Sequence, residues 1–193
     1  MTKKIVKISM GMGAFAIALI FAIMGFMTLL ADEAAACELK SELIAGQNYD
    51  AGYVNLRHPS YYTDEFVIYI QATDGWQITE THVAVGTSLD DIPQTRNGNP
   101  KIGRFPYSSE HDPAVYSTYY ILDLDDYEGL YDETTKIYSG TLYIAVHVVV
   151  QIERTVTVDG ITYTYYQEET AWADTYGIPF NDKGWAMYIK MDF

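Results

Sequence analysis

Beyond residue 37 the apolar positions recur every second residue rather than at helical spacing, in short runs broken by Gly, Pro, Asn and Asp. Residues 66–73, 77–85, 116–124 and 141–151 are rich in β-branched and aromatic side chains, which predicts four strands. An early strand is expected over residues 50–56 and a closing one over 185–192. The most specific turn is Asp159-Gly160, set between Thr155-Val156-Thr157-Val158 and Ile161-Thr162-Tyr163-Thr164. Asp-Gly tolerates the positive φ angles of a two-residue type I′ turn, so this segment predicts a hairpin. Residues 88–113 hold Pro93, Pro100, Pro106 and Pro113 with Asn97-Gly98-Asn99 among them, which predicts a long covering loop and excludes a central strand. Seven or more short strands in about 150 residues, with no helix of useful length, predict an all-β fold, an antiparallel β-sandwich or jelly roll.

The first 36 residues have a different pattern. Lys3, Lys4 and Lys7 precede residues 8–31, which contain no charge, and Asp32, Glu33 and Glu38 follow. A basic region before an apolar one is the pattern of an export signal. Twenty-four residues at about 1.5 Å each also make a helix long enough to span a bilayer, so a retained anchor fits as well. Ala34-Ala35-Ala36-Cys37 offers small side chains before the only cysteine and resembles a lipobox, which implies lipidation at Cys37. Cleavage after Ala36 without a lipid, or no cleavage at all, are the alternatives. The expected organisation is a signal peptide or signal anchor over 1–36, a short linker over 37–42 and the β-domain over 43–193. Each version places that domain outside the cytoplasm, at the cell surface or secreted, with the membrane as a partner through helix or lipid.

Composition narrows the partners. Twelve Lys and Arg against 26 Asp and Glu give a formal charge of −14, so no basic face for phosphate neutralisation can form and nucleic acid is excluded as a ligand. One cysteine excludes an intrachain disulfide framework and a cysteine-based zinc cluster.

Five blocks carry a resemblance. Residues 74–86 (DGWQITETHVAVG), 103–111 (GRFPYSSEH), 143–151 (YIAVHVVVQ), 169–173 (ETAWA) and 184–188 (GWAMY) together resemble a recurrent β-rich module of secreted and cell-surface microbial proteins. The resemblance spans roughly residues 43–193 and implies an exported β-sandwich with no assigned activity.

Three groups of side chains are candidates for chemistry. Alternation puts Glu80, His82 and Ala84 on one face of their strand and Tyr143, Ala145, His147, Val149 and Gln151 on one face of theirs, with Glu169 close to Trp172 in the chain. Two histidines and a carboxylate, Glu80 or Glu169, are zinc-type ligands, and the same residues also suit a hydrogen-bonded, metal-free interior. Asp123, Asp125, Asp126 and Glu128 supply the oxygen-rich donors that calcium prefers, in an order that does not match an EF-hand; calcium is the one cofactor to consider. Trp76, Tyr61 and Tyr120 are candidates for a flat platform that takes a surface glycan or a protein. No nucleophile elbow, phosphate loop, dinucleotide fingerprint or Cys/His nucleophile pair occurs. The expected function is therefore a non-enzymatic adhesion, matrix or envelope component. A carbohydrate-binding module is the alternative, and a metal-dependent hydrolase built on His82 and His147 is a second.

Overall fold

The computed structural model describes residues 37–193, and the predicted signal or anchor lies outside the described residues. Within them the regular structure is strand, interrupted only by three single turns of 3-10 helix at Leu89–Asp91, Ile102–Arg104 and Leu124–Asp126. The strands in chain order are β1 (Cys37–Ala45), β2 (Tyr49–His58), β3 (Glu65–Ala72), β4 (Trp76–Gly86), β5 (Tyr107–Val115) and β6 (Ser117–Asp123). They are followed by β7 (Tyr131–Asp132), β8 (Ile137–Tyr138), β9 (Thr141–Val158), β10 (Ile161–Ala173), β11 (Gly177–Pro179) and β12 (Met187–Asp192). No helix among the described residues is long and apolar enough to cross a membrane.

All strand pairings are antiparallel. One sheet runs in the order β11-β12-β9-β10-β1-β2-β3-β6, with β4 on the other edge of β9 and β5 beyond β4; β7 and β8 form a separate ribbon. The 18-residue β9 is the hub. Its first residues pair with β12, its middle pairs with β4 on one edge and β10 on the other, and its end pairs with β10 alone.

Alternation along β9 builds two apolar layers. Leu142, Ile144, Val146, Val148 and Val150 point into the main core, where they meet Ile78, Val83 and Val85 of β4, Ile68 and Ile70 of β3, and Leu56 of β2. On the opposite face Ala145, Ala84 of β4 and Trp172 of β10 form a second core, roofed by Ile92, Phe105 and Phe180 from the segments after β4 and after β11. The roof explains the proline-rich stretch: it is a cover held down by Ile92 and Phe105. Residues 107–113, expected as the end of that loop, are instead strand: β5 begins at Tyr107 and carries Pro113 within it. Because β5 pairs only with β4, it is an edge strand, where a missing amide hydrogen is tolerated.

The predicted linker over 37–42 is strand instead. Cys37 is in register with His58, and the ladder of β1 with β2 continues through Glu42 opposite Tyr53. The inward position Ser41 is fully buried, so a polar residue on the core side hides the alternation from a hydrophobicity reading.

The hairpin forms at the predicted place. Val158 pairs with Ile161, and Asp159 and Gly160 between them have φ of 51° and 77°. A side chain at Gly160 would meet no atom within 4 Å, so backbone strain is its main cost. Gly160→Val is expected to lower unfolding stability by about 1–2 kcal/mol, read by chemical denaturation. An unchanged midpoint would show that the turn relaxes to another geometry.

Candidate interaction surfaces

The hairpin tip stands clear of the body. β4 begins at Trp76, opposite Ile152, and β1 meets β10 only at Ala171, Trp172 and Ala173. Between those limits, β9 from residue 153 and β10 up to residue 169 have only each other as ladder partners. Six further residues on each strand carry this arm about 20 Å outward. Its base is braced by the turn after β1, where the Gly46 amide donates to the Thr170 carbonyl at 2.9 Å.

The two faces of the arm differ. Val158 lies opposite Ile161, Val156 opposite Tyr163 and Arg154 opposite Tyr165, in the same register that puts Val148 opposite Ala171 within the core. The inward alternation of β9 and β10 thus continues past the end of the core, where no other strand covers it. Val156, Val158, Ile161, Tyr163 and Tyr165 are 46, 52, 57, 53 and 50% exposed. On the other face Thr157 and Thr162 share a hydroxyl hydrogen bond at 3.1 Å, flanked by Thr155, Thr164 and Tyr166. The arm is therefore amphipathic without a partner for its apolar side, a condition that marks interaction surfaces.

The predicted histidine constellation is partly assembled. His82 lies opposite His147, and His147 opposite Trp172, so three rings form a row across β4, β9 and β10. The ring centroids are 5.7 Å and 4.9 Å apart. Alternation along β4 keeps Glu80 beside His82, whose Nε2 is 2.7 Å from Glu80 Oε1. Glu169 is not part of this group. It pairs with Val150 and so projects from the core-side face of β10, opposite to that of Trp172, and its carboxylate accepts from Gln167 Nε2 at 3.0 Å. His147 is buried among apolar neighbours; that burial, and secondarily the charge of His82, lowers its pKa to about 4. Glu80 thus serves His82, and His147 packs edge-to-face with Trp172.

The acidic constellation divides in two. Among the described residues, one group of three carboxylates has ligand atoms within 4.8 Å of one another: Asp64, Asp123 and Asp125, all exposed. Asp123 accepts from the Asp125 amide at 3.0 Å, and Asp125 accepts from the Tyr138 hydroxyl at 2.6 Å, a bond that pushes the Tyr138 phenol up. Asp64 joins because β3 and β6 pair at Glu65 and Asp123, a neighbourhood that only the sheet order reveals. Asp126 and Glu128 instead border an open cleft with Asp91 and Arg104.

The three predicted platform residues do not share a face. Trp76 is buried in the main core; Tyr120 is half-buried, with its hydroxyl 2.6 Å from Thr81 Oγ1, and burial raises its phenol pKa; Tyr61 is exposed. A different aromatic group lies on the outer face of β2, β3 and β6, where Tyr53 and Tyr69 have ring centroids 6.4 Å apart and Tyr119 pairs with Tyr69. Lys40 caps this group, its Nζ 3.8 Å from the centre of the Tyr53 ring.

The chain matches no family profile, no curated protein and no solved structure.

Proposed function

We propose that this chain is an exported, non-enzymatic surface protein, an adhesion, matrix or envelope component that is membrane-tethered or secreted and binds through the apolar face of its β9–β10 arm. The observation that carries the reading is that arm: five apolar side chains, each about half exposed, on a two-stranded projection that the main core does not cover. A β-sandwich or jelly roll is the architecture that fits. β5-β4-β9-β10 and β1-β2-β3-β6 make two layers around the main core, and Thr81 of β4 bonds across to Tyr120 of β6. Orientation supports the reading too. β1 runs antiparallel to β10, so Cys37 lies at the end of the domain away from the arm tip, next to Asp192, whose carbonyl accepts from Cys37 Sγ at 3.4 Å. A tether at Cys37 or before it leaves the arm pointing outward.

Two measurements test the placement. Protease added to intact cells is expected to cut the arm between Tyr163 and Tyr166; full protection of the domain would contradict export. Cys37→Ser is expected to move a lipidated protein into the soluble fraction, whereas equal retention would assign the tether to residues 8–31.

A carbohydrate-binding module is the second reading. It is favoured by the outer face of β2, β3 and β6, which brings Tyr53, Tyr69 and Tyr119 together. A hydrolase at His82 and His147 has less support, because it needs a third ligand converging on both rings and Glu80 is committed to His82.

A further inference from the structure

We infer that the partner of the arm is a second copy of this chain, two arms packing apolar face against apolar face about a twofold axis. The inference rests on the arm being the binding face, as proposed above, and adds who occupies it.

Charge selects the occupant. The chain carries a formal −14, so two bodies repel one another over most of their surfaces. Between Arg154 and Glu168 the only charged residue is Asp159 at the tip. The arm is therefore a long surface on which one copy approaches another with little repulsion. Its projection of about 20 Å exceeds the Debye length of about 8 Å at physiological salt, so arms in antiparallel contact hold the acidic bodies apart while the apolar faces meet.

Symmetry and area fit the same occupant. Packing of the apolar face on its own copy about a twofold axis is isologous and closes at two chains. At their observed exposures, Val156, Val158, Ile161, Tyr163 and Tyr165 leave on the order of 500 Å² uncovered per copy, so a pair buries about 1,000 Å² in total, the lower bound of specific association. That area suits a weak contact between copies already concentrated on one surface. A bilayer fits less well, since Asp159 leads the tip and the acidic body is repelled by anionic lipid.

The test uses the full chain carrying two different tags in the same cells. Wild-type copies are expected to be recovered together, and Tyr163→Lys alone or Tyr163→Glu alone to reduce that recovery about tenfold, because like charges then meet in the contact. Co-expressing the Lys variant with the Glu variant is expected to restore it, an outcome that a folding defect cannot produce. Single variants that associate as well as wild type, or a mixture that does not recover, would overturn the inference. Wild-type copies that stay apart, while the arm still governs binding to other envelope material, would overturn the second copy and leave the proposed function standing. Arm-dependent binding to anionic vesicles with no association between copies would reassign the face to lipid.

Discussion

Trp172→Ala is expected to destabilise the domain by about 3–5 kcal/mol, the largest effect of any single substitution considered for this chain. Trp172 is 3% exposed and sits at the centre of the second core, 4.9 Å from the His147 ring and 6.3 Å from Phe180. Alanine leaves a cavity between the sheet and its roof, and it removes the surface on which Phe180 holds the segment after β11. Local loosening should follow, so amide exchange in residues 88–106 and 174–186 is expected to rise along with the drop in denaturation midpoint. Trp172→Phe, which keeps a ring in contact, is expected to recover part of the loss. A change under 1 kcal/mol would mean that the roof is held from elsewhere.

Acid is expected to cost nearly as much, through His147. Its pKa is about 4 in the folded chain against 6.5 for an ordinary histidine, because burial disfavours the charged ring and His82 adds to that. The unfolded chain therefore takes up a proton at a pH where the folded chain does not. Stability from this group is complete above pH 6.5, declines as the pH falls from 6.5 to 4, and the total loss is about 3 kcal/mol. Other carboxylates titrate in the same range, so the informative quantity is the difference between wild type and His147→Phe. The variant is expected to show a shallower decline between pH 6.5 and 4, read from urea midpoints at several pH values. Parallel curves would show that His147 accepts a proton without cost.

Much of the body was legible from alternation, since β3, β4, β6 and β9 follow directly from runs of β-branched and aromatic residues. The five sequence blocks prove to have a structural meaning. Ala84, Phe105, Ala145, Trp172 and Trp185 come one from each, and all belong to the second core or pack against it. Those blocks therefore record a packing solution. What stayed hidden depends on pairing between distant strands. The opposite faces of Glu169 and Trp172 follow from strand alternation, but the separation of Glu169 from Glu80 and His82 requires the register of β10 on β9 and of β9 on β4. The carboxylate group needs Asp64, which reaches Asp123 only because β3 pairs with β6. The arm was read as an ordinary hairpin, because a sequence shows alternating apolar positions equally well where a core covers them and where it ends. Trp76 shows the converse: an aromatic at a strand start is read as a platform, yet it is buried in the main core.

The most direct test of the central claim is binding of the released chain to envelope material from cells that carry it, comparing wild type with Tyr163→Ser/Tyr165→Ser. Both tyrosines are about half exposed, so the double variant is expected to keep its denaturation midpoint. The account predicts that wild type is retained and that the double variant is washed away. Equal retention of a folded double variant would contradict it and move the binding surface to the face of Tyr53, Tyr69 and Tyr119.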